Sequence, residues 1–313
     1  MKIFRDLDDI KNIKNAVVTT GTFDGVHVGH KVIINRLRKL AKMNNGESVL
    51  ITFHPHPRRV LYPDSEGKDL LLINSQREKI ELLRKAGLDN LVIINFTKEF
   101  AQTTSMEFVQ DILLNRIHAK IIIVGFNHFF GHNKEGNYNS LHDLAEIKGF
   151  QVEEIAEQDI QNESVSSTKI RKALHDGDIQ RANAYLDHQY IIVGELTRGS
   201  EVCYKIGLPT MSVFIDEDIK LVPPEGVYAI SLTTNESYFR GMLNIRNSKT
   251  IYQPHHPNTC IDIHLFDFHD NLIGKTATIF FHKRIRDLEN FDNIDNMKIQ
   301  LTKDKAIIDD LIY

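Results

Sequence analysis

Residues 21–30 decide the fold of the first half of the chain, and they read Gly21-Thr22-Phe23-Asp24-Gly25-Val26-His27-Val28-Gly29-His30. The apolar run Ala16-Val17-Val18 precedes them and is typical of a buried strand. A helical pattern follows over residues 32–40, where apolar side chains recur on one face. The stretch therefore lies where a strand passes into the N-terminus of a helix.

This junction has the composition of an anion site. Backbone N–H groups at a helix N-terminus point at a ligand, and the helix dipole favours negative charge. Gly21, Gly25 and Gly29 let a bulky ligand come close to the backbone. His27 and His30 can donate hydrogen bonds to phosphate oxygens, and either can carry a positive charge near neutral pH. The residues therefore predict phosphate binding.

A His-x-x-His pair could instead bind a metal ion, and one histidine at a helix start could be a simple cap. No third histidine or cysteine lies close by in the sequence, and Asp24 precedes the turn instead of lying on the helix. Zinc sites use three or four protein ligands. The pattern thus favours phosphate over metal, and we expect no metal ligands from the protein.

Short apolar runs alternate with helical patterns over residues 1–186. Thr104-x-x-Glu107 is a capping box that predicts the start of a helix. The alternation predicts a parallel sheet with helices on both faces, in which ligands bind outside the carboxyl ends of the strands. The predicted strands are 16–20, 48–53, 91–96, 121–125 and 151–156, and the predicted helices are 30–43, 76–86, 105–117 and 140–148.

The pattern changes near residue 187. Short strand-like runs separated by turns such as Pro223-Pro224-Glu225-Gly226 predict a small antiparallel barrel. A closing helix is predicted near Ile294–Leu311, and two domains are expected, 1–186 and 187–313. The predicted barrel strands are Tyr190–Leu196, Met211–Phe214, Val227–Thr233, Ile261–Phe268 and Thr276–Phe281.

Composition argues against several classes of protein. A net charge of −4 over 313 residues gives no electrostatic case for nucleic-acid binding. No run approaches the roughly 18 apolar residues of a membrane span, and the charged start Met1–Asp6 has no apolar signal segment. Cys203 and Cys260 make no disulfide framework and suit a reducing compartment. We expect a cytoplasmic protein without nucleic-acid or membrane partners.

Four motifs, each at a strand end or a helix start, occur in an order typical of one enzyme family. They are residues 21–30, Phe53-His54-Pro55-His56-Pro57, Gly125-Phe126-Asn127-His128-Phe129-Phe130-Gly131 and Ser166-Ser167-Thr168-Lys169-Ile170-Arg171. Together they resemble the adenylyltransferase module of prokaryotic bifunctional riboflavin kinase/FAD synthetases. The resemblance covers essentially the whole chain, and its quality changes near residue 187.

The resemblance implies an α/β fold in which a Rossmann-like nucleotidyltransferase domain with a parallel sheet precedes a riboflavin-kinase-like β-barrel with a C-terminal helix. It implies transfer of AMP from ATP to FMN, which gives FAD and pyrophosphate. Mg²⁺ is expected with ATP, held largely by phosphate oxygens and water. The expected partners are ATP, FMN and FAD, together with weak self-association.

The resemblance also assigns roles to particular residues. It assigns catalysis and phosphate binding to His27, His30, Asn127, Ser167, Thr168 and Arg171. It assigns ATP binding to Gly21, Thr22, Phe23, Asp24 and Gly29. The flavin is expected against Phe53, Pro55, His56, Pro57 and Phe129, although the two phenylalanines could equally belong to the core.

The barrel departs from the family pattern where a kinase would do chemistry. Ser212 replaces the asparagine that accompanies Thr210 at the family's Mg²⁺/phosphate position, and Asp262 replaces the glutamate base. The shorter carboxylate would fall about 1 Å short of the riboflavin 5′-hydroxyl, and such a misplacement can cost about a hundredfold in rate. Cys203-Tyr204 replaces a glycine-arginine pair, and Arg246 replaces a glycine.

These losses suggest a barrel that folds but phosphorylates riboflavin poorly or not at all. The hypothesis is then a monofunctional FAD synthetase. One alternative is a bifunctional riboflavin kinase/FAD synthetase, and another is a flavin-sensing regulatory protein. A nucleotidyltransferase for another acceptor, such as glycerol phosphate or phosphopantetheine, fits less well with the Phe-x-Pro-His-Pro motif and the barrel.

Overall fold

The computed structural model describes residues 1–126, 129–156, 159–160, 163–199, 209–234, 237–247, 259–268 and 270–312. They belong to two compact units. The first unit is Met1–Leu70 with Lys79–Ser166, and the second is Leu71–Glu78 with Ser167–Tyr313. The predicted domain limits, 1–186 and 187–313, stay a prediction. The compact units have other limits, since residues 71–78 and 167–186 belong to the same unit as the barrel.

The first unit contains a six-stranded parallel sheet in the order β1-β4-β3-β2-β5-β6. Its near-continuous apolar strands are typical of a sheet that is covered on both faces. Two further strands of two residues each, β7 (Asp159–Ile160) and β8 (Glu163–Ser164), follow β6 in the sequence and pair with each other. The sheet strands are β1 (Lys2–Phe4), β2 (Val17–Thr20), β3 (Ser48–His54), β4 (Asn90–Asn95), β5 (Ile121–Gly125) and β6 (Gln151–Ile155).

Helices cover both faces of this sheet because neighbouring strand residues point to opposite sides. Val17 belongs to the core that contains the side chains of α1 and α3, whereas Val18 belongs to the opposite core. The predicted strands and helices of this part are confirmed to within about two residues. The helices are α1 (Val28–Met43), α2 (Pro57–Leu61), α3 (Gln76–Lys85), α4 (Ser105–Glu107) and α5 (Tyr138–Lys148).

The capping box at Thr104 is confirmed, but the helix that it starts winds differently from the prediction. Thr104 Oγ1 accepts from the N–H of Glu107 at 3.2 Å, and the Glu107 carboxylate accepts from the N–H of Thr104 at 2.8 Å. After Glu107 the chain is π-helical over Phe108–Arg116. Its residues Phe108, Val109, Ile112 and Leu113 are buried in the core of the unit.

The second unit is a closed antiparallel barrel in the order β10-β13-β12-β11-β14-β9. The predicted barrel and its closing helix are confirmed, and the strand β12 is an addition that the sequence did not reveal. The strands are β9 (Tyr190–Arg198), β10 (Met211–Phe214), β11 (Gly226–Thr233), β12 (Tyr238–Asn247), β13 (Thr259–Leu265) and β14 (Thr276–Arg286). The helices are α6 (Ser167–His175), α7 (Ile179–Leu186) and α8 (Ile294–Leu311).

Residues 71–78 pack with the barrel through backbone and side-chain contacts. The N–H of Leu72 donates to the carbonyl of Ile219 at 2.7 Å. Glu78 and Lys220 form a fully buried ion pair, with Oε2 and Nζ 2.6 Å apart. The other Glu78 oxygen accepts from the N–H of Val193 at 2.8 Å. A segment from the first half of the sequence therefore completes the polar interior of the second unit.

No helix of the described ranges is long and apolar enough to span a bilayer.

Candidate active site

The loop between β2 and α1 has an uncommon backbone conformation. Phe23 and Val26 have φ angles of +47° and +44°, and Gly25 has a φ of +94°. A positive φ is an outlier for a β-branched residue such as Val26, and such conformations persist where packing enforces them. Both side chains are buried in the core that α1 also enters. The loop is therefore fixed by the core beneath it.

His27 and His30 stack on each other at the start of α1. Their ring centroids are 3.6 Å apart with an angle of 18° between the planes. The Phe23 ring lies 4.5 Å from His30 on a tilted approach. A Cβ at Gly29 would lie 3.3 Å from Cε1 of His27, so glycine leaves the space that the stacked rings occupy. The spacing of the motif thus produces a compact pair of rings at a helix N-terminus.

Burial makes both histidines neutral. Burial lowers the pKa of His27 from 6.5 to about 4, and the Asp24 carboxylate opposes this only in part. Burial also lowers the pKa of His30 well below its usual value, and His27 and Lys79 lower it further. The prediction that either ring carries a charge near neutral pH is therefore wrong for the protein on its own. A neutral ring still offers one hydrogen-bond donor and one acceptor.

Three buried polar atoms at this junction have no hydrogen-bond partner within the described part of the chain. They are Thr20 Oγ1, His27 Nδ1 and His30 Nδ1. Buried polar atoms in folded proteins nearly always have a partner, and exceptions call for a functional or ligand-based explanation. Unsatisfied polar atoms therefore lie where the sequence predicts phosphate.

The predicted ATP-binding residues line the same loop. The N–H of Gly21 donates to the carbonyl of Ile51 at 3.0 Å, and a Cβ on Gly21 would lie 3.0 Å from the Phe23 ring. Asp24 is buried next to His27. These contacts place Gly21, Phe23 and Asp24 in the framework of the loop, and their binding of ATP stays a prediction.

Lys79 is a residue of this site that the sequence reasoning missed. It lies on α3, and only 4% of its surface is exposed. Its Nζ donates to the carbonyl of Thr22 at 3.0 Å, and the hydroxyl of Thr52 donates to the same oxygen at 3.1 Å. The sequence could have indicated its burial, because Lys79 lies four residues before the apolar Leu83 and therefore on the same face of α3.

The predicted flavin-binding residues have clear structural contacts in the first unit. Phe53 is half-buried and packs on Phe96 and Phe100, with centroids 5.5 and 6.1 Å away. His56 is buried and caps α2, because its Nδ1 accepts from the N–H of Arg58 at 3.2 Å.

The other flavin candidates differ in exposure. Pro57 is the first residue of α2, Pro55 is exposed, and Phe129 is 51% exposed. Flavin contact by any member of the set stays a prediction, and the packing of Phe53 agrees with the core role considered as its alternative.

The remaining phosphate-binding candidates do not all fall within the first unit. Asn127 lies outside the described residues. Ser167, Thr168 and Arg171 lie on the first turns of α6 in the second unit. Arg171 donates through Nε to the carbonyl of Leu71 at 2.9 Å. The phosphate-binding roles of these residues stay predictions.

In the barrel, the diverged kinase residues come together around the Asp262 carboxylate. Ser212 pairs with Asp262 across β10 and β13, and its Oγ donates to Oδ1 at 2.7 Å. Arg246 Nη2 donates to Oδ2 at 3.0 Å, and the Cys260 thiol lies 3.4 Å from the same oxygen. Burial and the Asp262 charge raise the pKa of Cys260 to about 11. Thr210 lies two residues before Ser212.

A cavity of about 580 Å³ opens where β12 ends and β13 begins. This volume falls within the range of small-molecule sites, roughly 300–1,000 Å³. Ile245 lines the cavity and pairs with Ile261, the residue before Asp262. Other lining residues are Pro223, Pro224, Asn247, Thr259, Arg284 and Asp287. Cys203 and Tyr204, where the sequence departs from the family's glycine-arginine pair, lie outside the described residues.

No group of three or more His, Cys, Asp or Glu side chains arranged to hold a metal ion occurs among the residues that the structure describes.

Two family models match this chain, one described as FAD synthetase over residues 9–169 and one as riboflavin kinase over residues 186–312. A bifunctional riboflavin kinase/FMN adenylyltransferase of Bacillus subtilis (strain 168) is 32% identical over 292 residues, which cover 93% of this chain and 90% of the relative. The chain belongs to this bifunctional riboflavin kinase/FMN adenylyltransferase family.

The similarity to the family spans both units. A Buchnera aphidicola (subsp. Schizaphis graminum) protein of the same description is 32% identical over 311 residues. The aligned residues cover 98% of this chain and 98% of the relative. A crystal structure described as a macrolide-efflux protein from Streptococcus pneumoniae has a TM-score of 0.86, with 27% identity and coverage of 98% of this chain and 97% of that one. The two chains therefore share a fold over nearly their whole length. The family resemblance predicted from the four motifs is confirmed.

Proposed function

We propose that the first unit transfers AMP from ATP to FMN and so makes FAD and pyrophosphate. The observation that carries the proposal is the stacked His27–His30 pair at the N-terminus of α1. Neutral rings with unsatisfied nitrogens and the positive end of the helix dipole suit an anionic ligand. Family membership adds support, because the relatives are described as FMN adenylyltransferases.

The proposed chemistry needs positioning and charge stabilisation more than proton removal. An oxygen of the FMN phosphate attacks the α-phosphorus of ATP, and the bond from that phosphorus to the pyrophosphate oxygen breaks. The nucleophile is already ionised at neutral pH, so no strong base is required. Donors fixed in advance near the developing charge stabilise the transition state without reorganising. His27 and His30 are held in this way by stacking and by the buried loop.

Mg²⁺ would accompany ATP and neutralise part of the triphosphate charge. The described residues do not form a cage of protein ligands, so phosphate oxygens and water would supply most of its coordination. The phosphate-binding roles that the family resemblance implies for Ser167, Thr168, Arg171 and Asn127 stay predictions.

For the barrel we propose the family's second reaction, phosphorylation of riboflavin to FMN. The riboflavin kinase model matches residues 186–312, and the relatives are described as bifunctional. These findings favour the bifunctional alternative over the monofunctional hypothesis.

A silent barrel is the second candidate, and one observation favours it. Arg246 stands where the resemblance expects a glycine, and its guanidinium pairs with Asp262. Ser212 holds the other carboxylate oxygen. Both carboxylate oxygens are therefore already engaged by donors of the protein and are less available to a substrate hydroxyl.

The test is to incubate the full chain with ATP and Mg²⁺, starting from riboflavin in one tube and from FMN in the other, and to separate the flavins by chromatography. FMN and FAD from riboflavin would support the bifunctional proposal. FAD from FMN with riboflavin left untouched would support the silent barrel. Failure to make FAD from FMN would overturn the function proposed for the first unit. Candidate acceptors with labelled ATP would then test for another nucleotidyl acceptor.

A further inference from the structure

Lys79 is a buried cation at the edge of the sheet in the first unit. Only 4% of its surface is exposed, although it lies on a helix with solvent-facing positions such as Lys85. Burying an ammonium group is unfavourable unless polar groups of the protein compensate for lost hydration. Lys79 therefore needs polar partners within the protein, whereas an ordinary surface lysine is hydrated by water.

The contacts of Lys79 fix the backbone of the histidine loop. Its Nζ donates to the carbonyl of Thr22 at 3.0 Å, and Thr52 of β3 donates to the same oxygen at 3.1 Å. Thr22 immediately precedes Phe23, the first residue of the loop with a positive φ. Donors from α3 and β3 thus hold the point at which the loop enters its uncommon conformation.

The charge of Lys79 acts on two histidines at the same edge. Together with burial and with His27, it lowers the pKa of His30. Together with burial and with Arg5, it lowers the pKa of His54 at the end of β3. The Asp24 carboxylate also acts on the stacked pair, since its charge raises the pKa of His27 against the effect of burial. A fixed positive charge in this place attracts an anionic ligand and keeps His30 in its neutral form.

We propose that Lys79 is a positioning residue for AMP transfer. It holds the Thr22 carbonyl so that residues 21–30 keep their geometry, and it adds a fixed positive charge for the triphosphate. The proposal rests on the function proposed for the first unit. It gives α3, which carries none of the four sequence motifs, a part in the site.

The test compares Lys79→Met and Lys79→Arg in the full chain, with Lys85→Met on the same helix as the matched control. K79M should lower kcat/KM for ATP about tenfold to a hundredfold, because small displacements of positioned groups have effects of that size. K79R keeps a charge and a donor and should recover most of the loss. K85M should match the wild type. A folded K79M protein with the wild-type kcat/KM would overturn the proposal.

A second readout is the protonation of His30, followed by NMR of ¹⁵N-labelled histidine side chains during a pH titration. Loss of the Lys79 charge should raise the pKa of His30 in K79M and leave it nearly unchanged in K79R. The lower pH limit of FAD synthesis should move up in parallel. The NMR measurement needs no activity, so it separates failure of the Lys79 proposal from failure of the proposed AMP transfer.

If K79M does not fold, Lys79→Gln replaces it, since an amide can still donate to the Thr22 carbonyl without a charge. K79Q should then keep the loop but show the raised His30 pKa and a raised KM for ATP. Wild-type values of both would contradict the proposal.

Discussion

At the start of α1, the Nδ1 atoms of His27 and His30 are buried without a hydrogen-bond partner in the described chain, whereas in the barrel both oxygens of Asp262 accept hydrogen bonds from Ser212 and Arg246. The family resemblance predicts phosphate chemistry at both sites, AMP transfer at the histidine pair and riboflavin phosphorylation at Asp262. A buried polar group with unused capacity can bind a ligand, and one that the protein already satisfies contributes to the fold instead. The comparison therefore sets polar atoms with unused hydrogen-bonding capacity against a carboxylate whose two oxygens the protein already engages.

The largest expected effect tests the structural side of this comparison. Lys220→Met leaves Glu78 buried without its ion-pair partner, and breaking a buried pair costs about 3–5 kcal/mol. Urea unfolding of the full chain measures the loss. The double variant E78Q/K220M removes both charges and should be more stable than K220M alone. A loss below about 1 kcal/mol for K220M, well short of the range for buried pairs, would show that Glu78 is solvated in some other way.

The next effect concerns acid stability of the first unit. His27 has a pKa of 6.5 when unfolded and about 4 when folded. Between these values the unfolded chain binds more protons, so stability is fully present above about pH 6.5 and is lost as the pH falls through 4. The loss should reach roughly 3 kcal/mol. Unfolding in urea at several pH values measures it, and His27→Gln should remove the part of the pH dependence that His27 contributes.

Replacement of His27 tests the functional side. His27→Ala should lower the rate of FAD formation from FMN about a hundredfold, as for loss of one transition-state donor. Its effect on stability at pH 7 should be small beside that of K220M, because the Nδ1 that it removes has no partner in the described chain. His142→Ala on the exposed face of α5 is the control. Destabilisation by H27A as large as that by K220M would break the comparison.

The smallest effect concerns the barrel. Arg246→Gly releases one oxygen of Asp262 and restores the residue type that the resemblance expects. Formation of FMN from riboflavin should rise about tenfold, since a hydrogen bond to a charged group is worth about 1.5 kcal/mol or more. Arg246→Lys keeps the charge and should change the rate much less. Equal rates in the wild type, R246G and R246K would show that Arg246 does not restrain the base.

Much of the architecture followed from short-range patterns. Hydrophobic periodicity placed α1, the five parallel strands β2 to β6 and α8 within a few residues, because each buries an apolar face. The short edge strand β1 was not predicted. Strand β12 was missed because Arg240, Gly241 and Asn244 interrupt its apolar pattern, and pairing with both β11 and β13 holds it in the barrel. The π-helical winding after Glu107 was also missed, since the apolar spacing there suited an ordinary helix.

The sequence by itself determined the family, the two classes of fold and the histidine motif, because those depend on residue types at fixed local spacings. Tertiary structure alone decided that burial makes His27 and His30 neutral, that Lys79 reaches the Thr22 carbonyl, and that Arg246 pairs with Asp262. The last two contacts join residues 57 and 16 positions apart in the chain. Charge state and hydrogen bonding depend on which distant groups exclude water from a side chain, and the fold sets those neighbours.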